Sequence, residues 1–217
     1  MVSFPDNRNY EYAYKQSYEL AVERLANIED YVSLCRKSDC RFRENGLQKI
    51  IELEYLNRMY HINVTGGSPI QITATGSDEE VPHKEQILIL HYVLNARGTP
   101  LGGQAITFKE LPEGPVYFRT FTQRTIKHLV TNFSDNPPKL IEAAEQIGGK
   151  KADYGDAAVT IPAFSRVPIT FVIWKGDAEF PAEGNVLYNS TITDYLPTED
   201  IIVLSETVLW TLVRAKK

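Results

Sequence analysis

The sequence predicts an α+β fold, with an antiparallel or mixed sheet packed against several helices in a single domain over residues 1–217. Three observations predict it. Apolar residues recur at helical spacing near both ends of the chain, and a central segment is apolar on most of its circumference. Between these segments lie period-two runs bounded by Asn, Gly and Pro. The length of 217 residues and the 43% hydrophobic share afford one sizeable core, with no internal repeat, low-complexity tract or interdomain linker to divide it.

Residues Asn7–Ala26 read as a helix, because Tyr14, Tyr18, Val22 and Leu25 fall on one face. Its tyrosine stripe serves either as core with hydroxyls at the rim or as a ligand surface. Asn27 is placed to cap a second helix running to about Lys37, with Glu29 and Asp30 suited to its first turn. From Cys40 the period becomes two. Asn45-Gly46 is the hairpin signal between residues 41–44 and 47–55, a turn near Asn57 returns the chain over 59–64, and 70–73 adds a short strand. Gly66-Gly67-Ser68-Pro69 is turn chemistry, too short to cradle a phosphate. After the acidic turn at 78–80, Pro82 starts a helix over 83–97 that carries His91. His91 reads as a core histidine or as a metal or proton-transfer group.

Gly98 ends that helix, and 99–103 forms a loop into a strand at 104–108. A helix over 117–133 carries Arg119, Arg124, Lys127 and His128, the most basic patch in the chain. A further helix over 137–147 stops at Gly148-Gly149, where Lys150-Lys151 suits its C-terminus. Two apolar strands follow, Ala157–Phe164 and Val167–Trp174, with Pro162 and Pro168 at strand ends or an edge. A short strand at 186–188 precedes the last helix, capped by Thr198 and striped on two faces to Ala215.

Charge and motif exclude several function classes. A net charge of −5 gives nucleic acid or an anionic membrane no basic footprint. Met1–Asp6 has neither the basic flank nor the apolar core of a signal peptide, and no apolar run nears the roughly 20 residues that span a bilayer. A cytoplasmic location is therefore expected. Cys35 and Cys40 are too few for a closed thiolate metal site and read as ordinary thiols. There is no phosphate loop, dinucleotide fingerprint, Gly-x-Ser-x-Gly, Ser-x-x-Lys or His-Glu-x-x-His.

Several fragments together resemble an uncharacterised domain family of bacteria and archaea, common in anaerobes and described as a domain of unknown function. They are 89–94 (Ile-Leu-His-Tyr-Val-Leu), 98–103 (Gly-Thr-Pro-Leu-Gly-Gly) and 106–112 (Ile-Thr-Phe-Lys-Glu-Leu-Pro). The spacing of Asp177-x-Glu179-Phe180-Pro181, Asn185-x-Leu187-Tyr188-Asn189 and Tyr195-Leu-Pro-Thr-Glu-Asp is the most specific part. The resemblance covers almost the whole chain. In the family the segment at 187–189 more often looks like Leu-Phe-Asp, so Tyr188 and Asn189 depart from it. The resemblance implies relatives with an added iron–sulfur domain of the kind seen beside corrinoid proteins, whose four-cysteine motif Cys35 and Cys40 cannot supply. The resemblance implies a setting in anaerobic cofactor metabolism and names no activity or cofactor.

The unusual polar chemistry concentrates at 166–200. A binding module would line a pocket with Trp174, Phe180, Tyr188 and Tyr195 and anchor a small molecule, cofactor or metal on Asp177, Glu179, Glu199 and Asp200. The same carboxylates also suit structural roles, Asp177 in a turn and Glu199 with Asp200 at a helix start. A hydrolase would use a carboxylate pair, one protonated and one ionised. A docking subunit would present an exposed aromatic patch to an iron–sulfur or corrinoid partner.

Overall fold

The computed structural model describes residues 7–66 and 69–216. The expectations for Met1–Asp6 and for Gly67-Ser68 within the turn lie outside the described residues. The chain is α+β, and its strand pairings are antiparallel. It divides into two compact units, residues 1–53 with 58–98, and 54–57 with 99–217.

In the first unit, helix α1 (Asn7–Ala26) packs along α3 (His83–Asn95), and the Arg24 guanidinium donates to Asn95 Oδ1 at 3.3 Å. The continuous apolar run of α3 is explained by its position, since Ile87, Leu88, Ile89, Leu90 and Val93 are all buried. Between them α2 spans Tyr31–Ser38. Its cap is Asp30 and not Asn27. The Asp30 carboxylate immediately precedes the first helical residue and accepts from the Ser33 N–H at 2.8 Å, whereas the Asn27 amide donates back to Glu23 O. At its far end Asp39 is left-handed (φ 55°), the Cys40 N–H closes on Cys35 O at 2.8 Å, and the buried Tyr92 hydroxyl donates to Ser38 O at 2.7 Å. Burial pushes both thiols, Cys35 and Cys40, up to about 12, so they stay protonated at neutral pH.

Strands β1 (Arg41–Asn45), β2 (Gln48–Tyr55), β3 (Arg58–Asn63) and β4 (Gln71–Ala74) follow as a meander. Asn45 pairs with Gln48, so the first turn is Gly46-Leu47, one residue later than Asn45-Gly46. Gly46 supplies the positive φ of 59° at the first turn position, which leaves Leu47 91% exposed at the tip. The next turn takes positive φ at Leu56 and Asn57 with no glycine.

The second unit is built on the hairpin of β7 (Ala157–Phe164) and β8 (Val167–Trp174). Strand β9 (Glu183–Asn189) pairs with β8, and β5 (Ala105–Thr107) with β9. On the other side β6 (Lys150–Ala152) pairs with β7, so Lys150-Lys151 belong to a strand and not to a helix terminus. Tyr55 pairs with Phe164, their rings 4.8 Å apart. Helix α6 (Pro138–Gln146) and α7 (Thr198–Ala215) cover β7, and α5 (Lys127–Phe133) packs on β8 and β9. Thr198 is the first helical residue of α7 and not its cap; its hydroxyl donates to Pro112 O at 2.6 Å.

The helix expected over 117–133 begins at Gly114. It runs as α4 (Gly114–Phe121), a π-helical turn Thr122–Ile126, then α5. Gly114 lies so close to Phe108 that a Cβ there would stand 2.1 Å from the Phe108 carbonyl oxygen. That approach lets the Phe108 and Phe121 rings stack at 4.1 Å. The π turn leaves a mark on its side chains. In regular α7 the Ser205, Thr207 and Thr211 hydroxyls bond back to the carbonyls four residues earlier, whereas the buried Thr122 and Thr125 hydroxyls have no hydrogen-bond partner among the described residues.

Two stability predictions come from this helix. Gly114→Ala should lower unfolding free energy by about 2–3 kcal/mol, the scale of overpacking against backbone that cannot move. Thr125→Val, which keeps the shape and removes an unpartnered hydroxyl, should leave stability unchanged or raise it by up to about 1 kcal/mol. Urea unfolding of both variants checks the pair, and a Thr125→Val loss above about 1 kcal/mol would contradict the second.

Candidate functional site

In the second unit, Trp174, Asp177, Glu179 and Phe180 share the connection between β8 and β9. Trp174 pairs with Glu183 at the hairpin's end and is 41% exposed, and Phe180 is 67% exposed. Asp177 is committed to the turn. Its Oδ1 accepts from the Phe180 and Glu179 N–H groups, both at 2.8 Å, and its own N–H donates to Phe180 O at 2.9 Å. The Phe180 N–H first, then that of Glu179, hold the Asp177 carboxyl below the usual carboxylate range. Glu179 points from the same exposed loop.

The two tyrosines lie inside. Tyr188 on β9 is fully buried, and its hydroxyl shares a 2.8 Å hydrogen bond with Ser205 Oγ on α7. Burial pushes its pKa far up, so it stays a neutral phenol. Tyr195 is also buried, and its hydroxyl donates to the Thr99 carbonyl, while the Thr99 hydroxyl donates to Asp194 Oδ2 at 2.7 Å. Glu199 and Asp200 occupy the first turn of α7, where negative charge suits the helix dipole. Glu199 is exposed and accepts from the Tyr117 hydroxyl at 2.9 Å, which pushes the Tyr117 pKa up; Asp200 is buried. His91 is in the first unit, half-buried on α3.

Hollows open among the described residues of the second unit. One, of about 130 Å³, sits on the solvent side of the sheet over Thr160, Thr170 and Leu187, beside Asn189 and Gly103. Asn189 organises its rim by accepting from the Gly102 N–H at 3.1 Å and donating to the Gly102 carbonyl at 2.6 Å. The amide does both jobs, whereas the aspartate expected here by resemblance has no donor for the second. Another hollow, about 480 Å³, lies between α5 and the start of β9, along Lys127, Val130, Thr131 and Glu183. Neither is lined by Asp177, Glu179, Glu199 or Asp200. The expected basic patch is partly spent on packing: Arg124 pairs with Glu206, and His128 lies 5.0 Å from the Trp210 ring.

The first unit holds a groove of about 500 Å³, walled by Tyr14 and Tyr18 of α1 and by His83 at the start of α3. The Tyr18 and His83 rings are 5.8 Å apart and tilted by 42°. Lys15 and Glu19 stand at the rim, 3.9 Å from each other. Tyr18 also lines a second hollow of about 490 Å³, edged by Asp78, Glu79 and Glu80 and floored by Ile72 and Gln86. Burial, with the Glu80 charge second, raises the Tyr18 pKa. The spacing of Tyr14 and Tyr18 was legible as a helical stripe; nothing in the sequence pointed to His83 or to the acidic turn as its neighbours. Among the described residues, no group of three or more His, Cys, Asp or Glu side chains is placed to hold a metal ion, and no helix is long and apolar enough to cross a membrane.

The buried Tyr188–Ser205 pair predicts its own coupling. Tyr188→Phe and Ser205→Ala should each cost about 1 kcal/mol, and the double variant markedly less than their sum, since Ser205→Ala strands the buried Tyr188 hydroxyl that Tyr188→Phe removes. Urea unfolding across the four proteins measures this, and strict additivity would show the bond contributes nothing.

No curated protein and no solved structure matches the chain. Residues 30–210 match the family described as domain of unknown function (DUF3786), and the chain belongs to that family.

Proposed function

We propose that this chain is a binding module for a small molecule, and that the ligand occupies the first unit's groove between Tyr14, Tyr18 and His83. One observation carries the reading: the groove has the volume of a small-molecule site, about 500 Å³, and three aromatic rings in its walls. Its neighbour adds polar groups within reach of the same Tyr18 ring. Aromatic walls with a few polar side chains at one edge are the usual make-up of such sites. The resemblance noted above supports a ligand from anaerobic cofactor metabolism.

The carboxylate pair Asp177 and Glu179 supports a hydrolase poorly. The backbone of its own turn suits Asp177 to the ionised role alone, and both residues lie exposed, without the burial that would hold the other carboxyl protonated. Docking is a second reading with an observation behind it. Trp174 and Phe180 both expose large apolar rings on one hairpin tip, next to the residues that edge the 480 Å³ groove. An iron–sulfur or corrinoid protein is the partner the resemblance offers for that tip.

A thermal-shift screen against nucleotides, corrinoids, amines and common organic cofactors separates these readings. A compound held in the first unit should raise the melting temperature by mass action, with roughly 2.7 kcal/mol of stabilisation at a hundred times its dissociation constant. Tyr18→Ala should abolish that increase, while Asp177→Asn and Glu179→Gln leave it intact. An increase lost in the Asp177 or Glu179 variants and kept in Tyr18→Ala would move the site to the hairpin.

A further inference from the structure

We propose that the groove is selective for an organic ammonium group, held against the Tyr14 and Tyr18 rings with the Asp78–Glu80 turn supplying the counter-charge. The proposal rests on the reading of that groove as the ligand site and names the class of ligand.

Charge decides it. The two hollows that share Tyr18 in their walls are edged, among the described residues, by Glu19, Asp78, Glu79 and Glu80, against one lysine, Lys15, which is already 3.9 Å from Glu19. An anionic ligand would meet four carboxylates there, and like-charge contact costs affinity. A cation is drawn in by the same field, and the negative faces of tyrosine rings add a directional attraction to it. The carboxylates stand on a built turn: the Ser77 hydroxyl accepts from the Glu79 N–H at 3.2 Å, which fixes the chain from which the three acidic side chains leave. The Glu80 charge lies near enough to the Tyr18 phenol to disfavour its ionisation, so ring and carboxylate belong to one local environment.

The kind of cation follows from the donors. A divalent metal needs several oxygen or nitrogen ligands converging on one point, and no such group of three occurs among the described residues. An alkylammonium asks less. Its charge is spread over a large, weakly hydrated surface, so it is served by ring faces at contact distance and carboxylates a few ångströms further out. The apolar stretch along the tyrosine walls suits its methyl groups, and the acidic rim suits its charge.

The probe is choline, compared with its neutral carbon isostere 3,3-dimethylbutan-1-ol, titrated calorimetrically into the full chain at low salt. Choline should bind at least tenfold more tightly than the isostere. Tyr18→Leu should weaken both compounds. The exposed double variant Glu79→Gln with Glu80→Gln should weaken choline about tenfold and leave the isostere unchanged, with circular dichroism confirming that each variant folds. Equal affinity for choline and isostere would overturn the ammonium assignment and leave the groove as an apolar ligand site. Choline failing to bind, with screen hits of another class that depend on Tyr18, would overturn it in the same way. No compound of any class depending on Tyr18 would remove both this inference and the reading beneath it.

Discussion

The second unit depends on how the β7–β8 hairpin is covered. Val159, Ile161, Phe171, Val172 and Ile173 lose all contact with water, which requires helices over the sheet and makes an unpaired polar atom there costly. The Tyr188 hydroxyl is the polar group that this burial must satisfy, and Ser205 on α7 satisfies it. Ser205 in turn donates to the Ile201 carbonyl four residues back, so the bond ties a strand position to a helix position through a side chain with little freedom. Apolar packing alone would allow α7 to slide by a fraction of a turn. A directional bond in a dry interior opposes that sliding.

The carboxylates between 166 and 200 have structural work close at hand. Asp177 gives Oδ1 to two backbone N–H groups, which fixes the carboxylate in its own turn. Glu199 and Asp200 sit where a helix start favours negative charge. Asp177 is accounted for by its own turn, and Glu199 by its helix start and the Tyr117 hydroxyl. The first unit is different: Asp78, Glu79 and Glu80 edge a hollow shared with an aromatic side chain from another element, and local turn chemistry explains the turn and not the company it keeps.

Legibility followed sequence distance. The α1 stripe, the central α3 and the β7–β8 hairpin were readable because burial repeats at the period of the element itself, as Ile87 to Leu90 show by being buried all round. The cap of α2 was misplaced by three residues because Asn27 and Asp30 are both competent caps, and only the position of the first helical residue chooses between them. The strand at Lys150–Ala152 escaped because its residues carry no apolar alternation; it exists through hydrogen bonds to β7. The π turn at Thr122–Ile126 left no mark in the hydrophobic pattern, since one inserted residue shifts the phase of a helix without breaking it. Sites assembled from distant segments, such as Tyr18 beside His83, were invisible for a plainer reason: periodicity describes one element at a time.

A net charge of −5 over 217 residues is modest, so what matters for recognition is where the charge is left unneutralised. Several acidic side chains have a cation close by: Glu206 has Arg124, Glu52 has Arg43 at 2.8 Å, and Glu44 has Lys49 at 3.3 Å. Such pairs cancel each other's field within a few ångströms, and exposed ones add little to stability. Three consecutive carboxylates edging a concave surface are another matter, because the low-dielectric walls of a hollow keep their field from being screened as fully as it would be on a convex face. A hollow edged in this way favours one sign of ligand charge, a preference that its volume and its aromatic walls do not supply.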